Sequence, residues 1–387
     1  MPEPEVVINP HGAGRLLAGH MWVYRSDLRS TNAEPGDAVR VLDERGRFFG
    51  RAFFSDRSEI SIRLVTRDDV PVDRALFSAR IARAARMRQP MIAQAGAYRL
   101  FYAESDQIPS LVVDRYGDYL VIQTLSQATE KRKQELVEIL VEQFSPAGVL
   151  ERNDPKVRQL EGLEQCVSLL YGEVPAEVIA CDQGLRLSYD LHHGQKTGGF
   201  LDQRQNRHAA ARYARGEVLD CFAGTGSFAV TLAPHARHIE AVDLSATALA
   251  AAKRNIELND AKNIFLREAN TFDLLRQYDE AGRRFDAIVL DPPAFAKNKK
   301  NIPAACRGYK EINLRSLRLL RPEGFLITCS CSHHISEALF AQIIAEAALD
   351  AHRSVVVVER RSQASDHPIL LTMPETYYLK CFILNVV

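Results

Sequence analysis

Two hydrophobic rhythms divide this chain. In the first seventy or so residues, apolar positions recur with a period near two. "EISIRLVT" alternates, and "DAVRVLDERGRFFGRAFFS" holds two extended runs around a Glu44-Arg45-Gly46 turn. Pro10, Gly12, Gly14, Pro35 and Gly36 punctuate the region, so short strands in a small β-barrel or sandwich are expected. "VDRALFSARIARAARMRQ" then reads as a helix. Its Arg80, Arg83 and Arg86 form a basic stripe, either a solvated face or a ridge against phosphates. From Tyr98 to Val149 the order is strand, turn, strand, strand and helix, with "SLVVDRYGDYLVIQTL" as a hairpin and "KRKQELVEILVEQF" as an amphipathic helix. "GVLERND" and "LRLSYDL" add strands to this α+β module.

After about residue 190, strands and helices alternate: "EVLDCFAG", "HIEAVDLS", "NIFLREAN", "FDAIVLDPP" and "FLITCSC" are strands, with helices such as "ATALAAAKRNIELND" and "YKEINLRSLRLLRPEG" between them. That alternation predicts an α/β fold, a mostly parallel sheet covered by helices on both faces. The expected domains are 1–70, 71–188 and 189–387.

Composition narrows the class. The 387 residues are 46% hydrophobic and 25% charged, as in ordinary globular proteins. No apolar run reaches membrane-spanning length. The opening "MPEPEVVINP" lacks the basic and apolar regions of a signal peptide, and seven cysteines show no disulfide rhythm. A cytoplasmic setting is expected. The 49 basic and 49 acidic side chains cancel, which weighs against a uniformly basic nucleic-acid binder but leaves room for a local basic face.

Five strand ends carry candidate chemistry. "VLDCFAGTGSFA" places Asp220, Phe222, Gly224, Thr225 and Gly226 where a strand turns into a helix. Asp243, followed by Leu244, ends the next strand about twenty residues on, where a carboxylate can accept ribose hydroxyls. An acidic strand end at Asp220 suits a cationic ligand better than a pyrophosphate, which favours S-adenosylmethionine over a nicotinamide dinucleotide. Asn270 is placed to meet an adenine edge or to form a turn, and Asp291-Pro292-Pro293 follows a fourth strand. Cys329 and Cys331 end the fifth. With His333 and His334 they are conceivable metal ligands, but no C-x-x-C pair supports one, and no metal is expected.

On these motifs the chain resembles the 23S rRNA (cytosine-5)-methyltransferase family of class I methyltransferases. "GHMWVYRSDL", "GQKTGGFLDQRQNR", "DPPAFAKNKK", "CRGYKEIN" and "CSCS" carry the resemblance over nearly the whole length. It implies an N-terminal PUA RNA-binding domain, a central α+β domain and a Rossmann-like methyltransferase domain. It also implies S-adenosylmethionine as cofactor, with Lys196, Gln203 and Arg204 helping to enclose it, and large-subunit ribosomal RNA as partner. Asn270 departs from the family's usual Asp.

Carbon 5 of cytosine is a poor nucleophile until a thiolate adds to carbon 6. Cys331, at the strand end, is the expected nucleophile, and the resemblance supports it over Cys329. Asp291 is expected to hydrogen-bond the ring. Lys297, Lys299, Lys300, Arg307 and Lys310, with Tyr309 among them, read as a basic loop with a stacking ring for RNA, or as a solvated loop. Competing readings are methyl transfer to guanine or adenine and a non-catalytic RNA-binding assembly factor. A homodimer is left open.

Overall fold

The computed structural model describes residues 3–296 and 298–387. Contacts divide the chain into two units. The first runs up to Ala180 and adds Tyr189–Leu201 and Ser365–Thr376; the second comprises Cys181–Ser188, Asp202–Ala364 and Tyr377–Val387. Both units are therefore discontinuous in sequence.

In the first unit, β1 (Glu5–Ile8), β2 (Trp22–Tyr24), β3 (Leu28–Thr31), β4 (Ala38–Asp43), β5 (Phe48–Phe54) and β6 (Ile60–Thr66) form a six-stranded sheet in the order β2-β6-β5-β4-β1-β3. β4, within the first expected extended run, alternates, with Val39 and Val41 inward. β6 does not: it is buried on both faces, and its Arg63 is neutralised by Glu161 at 2.6 Å. Pro10, Gly12 and Gly14, read as loop punctuation, lie instead in helix α1 (Pro10–Leu17). Asn9 caps it by accepting from the Gly12 amide at 2.8 Å, and proline suits a first helical turn.

The chain continues through α2 (Arg74–Arg88), β7 (Ala97–Tyr102), β8 (Leu111–Tyr116), β9 (Tyr119–Thr124), α3 (Gln127–Lys131), α4 (Lys133–Phe144), β10 (Gly148–Asn153), α5 (Val157–Leu160) and β11 (Cys166–Gly172). These strands form a second sheet, β11-β10-β9-β8-β7, with the expected hairpin closed at Tyr116 and Tyr119. A two-stranded hairpin, β12 (Val178–Asp182) and β13 (Leu185–Tyr189), follows.

The second unit contains α6 (Arg204–Ala211), β14 (Glu217–Cys221), α7 (Ser227–Leu232), β15 (His238–Asp243), α8 (Ala246–Leu258), β16 (Ile264–Glu268), α9 (Thr271–Glu280), β17 (Phe285–Leu290), α10 (Ile302–Leu319), β18 (Leu320–Ser330), α11 (Glu337–Asp350), β19 (Val355–Arg361) and β20 (Lys380–Val386). The sheet order is β16-β15-β14-β17-β18-β20-β19. The first five strands are parallel, and β20 runs antiparallel to both neighbours. β14 and β17 are central and almost wholly buried, which explains their unbroken apolar runs. Strand order reverses beside β14, so a ligand crevice is expected at the carboxyl ends of β14, β15, β17 and β18. Among the described residues, no helix is long and apolar enough to cross a membrane.

Candidate active site

The turn after β14 holds three constrained positions. Phe222 has φ 62°, an unfavourable region for a residue with a Cβ. Its ring packs 6.5 Å from both Phe272 and Phe295, which secures the conformation. Gly226 has φ 73°, and a Cβ there would come within 3.0 Å of Ala252 on α8. Gly224, at φ 55°, has open space where a Cβ would sit, so its backbone is accessible. Asn255, buried on α8, holds the loop by donating to the Thr225 carbonyl at 2.9 Å. Sequence reasoning missed Asn255; its signal was an amide on the apolar face of an alanine-rich helix.

Asp243 braces the same loop. Its carboxylate accepts from the Gly224 amide at 2.9 Å and the Ser245 amide at 2.8 Å. Each oxygen can accept one more bond. Leu244 beside it is 67% exposed, an apolar surface at the strand end. Asn270 caps α9: its Oδ1 accepts from Phe272 at 2.9 Å and Asp273 at 3.4 Å. The acceptor expected to take an adenine amino proton is therefore already shared by two amides. The amide nitrogen is the donor Asn270 can offer, which matches a ring nitrogen rather than an amino group.

Asp220 is 1% exposed. One oxygen accepts from the Ala229 amide at 3.1 Å, and the other makes no hydrogen bond among the described residues. Burial, then the charges of Asp291 and Asp243, push its carboxyl well above the ordinary range. Such a group calls for a cation or a strong donor.

Gln203 and Arg204 are buried at the start of α6, and Gln203 donates to Asp291 Oδ1 at 2.7 Å. Lys196 belongs to the first unit, where its ammonium lies 4.7 Å from the Phe200 ring centre.

The two strand-end thiols differ sharply. Cys329 is fully buried in β18 opposite Cys381 of β20. A hydrogen bond with Cys381 and burial push its thiol well up, so it stays protonated. Cys331 lies just beyond the strand, is part-buried, and its Sγ–H donates to the Pro292 carbonyl at 3.8 Å. The nucleophile candidate thus sits against the Asp-Pro-Pro turn.

Several RNA-facing expectations need correction. Tyr309 is fully buried, not a stacking ring. The reason is that "IPAACRGYK" is helical rather than a loop: α10 starts at Ile302 and buries Ala305, Tyr309, Ile312 and Ser316 at helical spacing. Tyr309 packs 4.6 Å from Phe295 and its hydroxyl lies 3.0 Å from Ser330 Oγ and 2.9 Å from Ser332 Oγ, on either side of Cys331. Lys310 is tied to Asp350 at 2.8 Å. Lys299, Lys300 and Arg307 are exposed, and Lys297 lies outside the described residues. On α2, Arg80 is half-buried and donates to the Gln107 carbonyl, while Arg83 and Arg86 are exposed. No group of three or more His, Cys, Asp or Glu is arranged to hold a metal among the described residues.

A turn rich in glycine at the first central strand, a carboxylate ending the second and an Asp-Pro-Pro ending the fourth define a nucleoside-binding methyltransferase crevice. Comparison agrees: residues 6–67 match the PUA-like domain family, and residues 146–374 match the S-adenosylmethionine-dependent methyltransferase family. The fold is that of an S-adenosylmethionine-dependent methyltransferase from Streptococcus mutans, with a TM-score of 0.84, 22% identity and coverage of 99% of this chain and 100% of that one. The ribosomal RNA large subunit methyltransferase I of Shewanella denitrificans is 44% identical over 98% of this chain and 99% of its own. That of Tolumonas auensis is 42% identical over 96% of each. The chain belongs to the ribosomal RNA large subunit methyltransferase I family.

The crevice fits S-adenosylmethionine. The unsatisfied buried oxygen of Asp220 matches its ammonium, the remaining acceptor capacity of Asp243 matches its ribose hydroxyls, and Leu244 leaves apolar surface exposed at the strand end.

Proposed function

We propose that this protein methylates carbon 5 of a cytosine in large-subunit ribosomal RNA, through a transient bond between Cys331 Sγ and carbon 6 of the base. The observation that carries the reading is the contrast between the two thiols: Cys331 is only part-buried, against the Pro292 carbonyl, while Cys329 is fully buried and held protonated. The curated relatives are named as methyltransferases of large-subunit ribosomal RNA.

In this reading Cys331 attacks carbon 6, which makes carbon 5 electron-rich. S-adenosylmethionine, when bound, supplies the methyl group. Asp291, oriented by Gln203, hydrogen-bonds the ring edge and stabilises the adduct. Removal of the carbon-5 proton then expels the thiol. A base inside folded RNA must leave its stack first. In the second unit Lys299, Lys300 and Arg307 are exposed cations suited to holding the strand; in the first, Arg83 is exposed and Arg80 contributes less because it is half-buried. By the family resemblance, Lys196 and Arg204 are proposed to help enclose the cofactor.

The test is adduct capture. RNA carrying 5-fluorocytidine has no carbon-5 proton to remove, so the Cys331 bond should persist and survive denaturing electrophoresis. Cys331→Ala should form none. Capture on another residue, or none with active enzyme, contradicts the reading.

A further inference from the structure

Lys380, the first residue of β20, pairs with Ser330 across the sheet, beside the strand end that carries Cys331. It is 2% exposed. Its ammonium donates to the Ser332 carbonyl at 2.8 Å and the Tyr378 carbonyl at 2.9 Å. The first of these belongs to the residue directly after Cys331, so Lys380 pins the backbone that carries the thiol.

Among the described residues, no carboxylate lies within ion-pair distance of this ammonium, although buried charges are normally paired. Its electrostatic partners are Cys331 and Glu337. Glu337, on α11, already accepts from the Tyr377 hydroxyl and lies 4.0 Å from Arg360. The natural counter-charge for Lys380 is thus a Cys331 thiolate.

We propose that Lys380 is a positioning residue for Cys331: its ammonium stabilises the thiolate, and its bond to the Ser332 carbonyl fixes the loop that aims it. The thiol proton is released to water, and the charge left on sulfur faces the ammonium. The inference rests on Cys331 being the nucleophile.

Burial pulls the Lys380 ammonium down to about 8, with Cys331 and Glu337 opposing the shift. The cation therefore persists at neutral pH and fades above it. Other titratable groups packed around this strand end are Tyr309 from α10, Asp291 after β17, the Cys329–Cys381 pair, and His333 and His334 in the same loop. Burial raises the Tyr309 hydroxyl, so it stays neutral over the working range.

The test reads the thiol without methyl transfer. Iodoacetamide alkylation of Cys331 in the full chain, followed by peptide mass spectrometry across pH, gives its titration midpoint. In the unaltered protein the midpoint should lie below the ordinary thiol value of about 8.5. Lys380→Met should raise it by about one unit and slow alkylation at pH 7 roughly tenfold, and Lys380→Arg should restore most of the rate. A midpoint at or above 8.5 in the unaltered protein overturns the proposal, even if the methionine variant does not fold. So does an unchanged midpoint in a folded Lys380→Met. A lowered midpoint in a protein that forms no 5-methylcytidine would instead overturn the cytosine reading alone.

Discussion

The Tyr309 hydroxyl lies 2.9 Å from Ser332 Oγ, and the same oxygen accepts from Ser330 at 3.0 Å. A side chain expected to stack on RNA is instead the inner brace of the Cys331 loop. Tyr309→Phe keeps the ring packing and removes only the bridge. It should cost about 1 kcal/mol in stability and lower kcat several-fold, with RNA affinity unchanged. Thermal melting, turnover and filter binding measure the three; parental stability and turnover in the variant would contradict the bracing role.

Asp220 is predicted to trade stability for cofactor binding. Its folded-state carboxyl is raised above the ordinary 3.8, mainly by burial. Its favourable contribution is therefore fully present below that value and is lost as pH rises towards the folded-state value. In the cofactor-free protein, Asp220→Asn should melt higher than the parent, with a gap that widens as pH rises from 4. S-adenosylmethionine affinity should fall at least tenfold, or about 1.4 kcal/mol, by calorimetry.

The two thiols should separate cleanly. Cys331→Ala should abolish methyl transfer in a protein that still folds. Cys329→Ala should retain most turnover and cost about 1 kcal/mol by denaturant titration, because it removes a buried sulfur packed against Cys381.

The alternation of strands and helices after residue 190 was legible because central parallel strands are uniformly apolar and their ends carry the chemistry. Asp220, Asp243 and Asp291 could be placed for that reason. Helix α1 was hidden because its Pro10, Gly12 and Gly14 read as loop residues, although proline at a helix start is ordinary. Tyr309 was misplaced because the lysines before it suggested a loop, while Ala305, Tyr309, Ile312 and Ser316 already showed a helical stripe. Lys380 was invisible: its role depends on β20 running antiparallel beside β18, a pairing that no local pattern specifies.

The exposed cations near the start of α10 should act through phosphate. Replacing Lys299, Lys300 and Arg307 singly by Gln should weaken RNA binding similarly for all sequences and reduce the salt slope by about one for each real contact. Lys310→Gln should change binding little, because Asp350 and Glu346 already engage that ammonium. Salt-titrated binding isotherms decide between them.

The central claim is tested most directly by incubating the protein with unmodified large-subunit ribosomal RNA and isotope-labelled S-adenosylmethionine, then identifying the labelled nucleoside by mass spectrometry. The account predicts label in 5-methylcytidine, absent with Cys331→Ala. Label in guanosine or adenosine, or label in 5-methylcytidine that persists in Cys331→Ala, would contradict it.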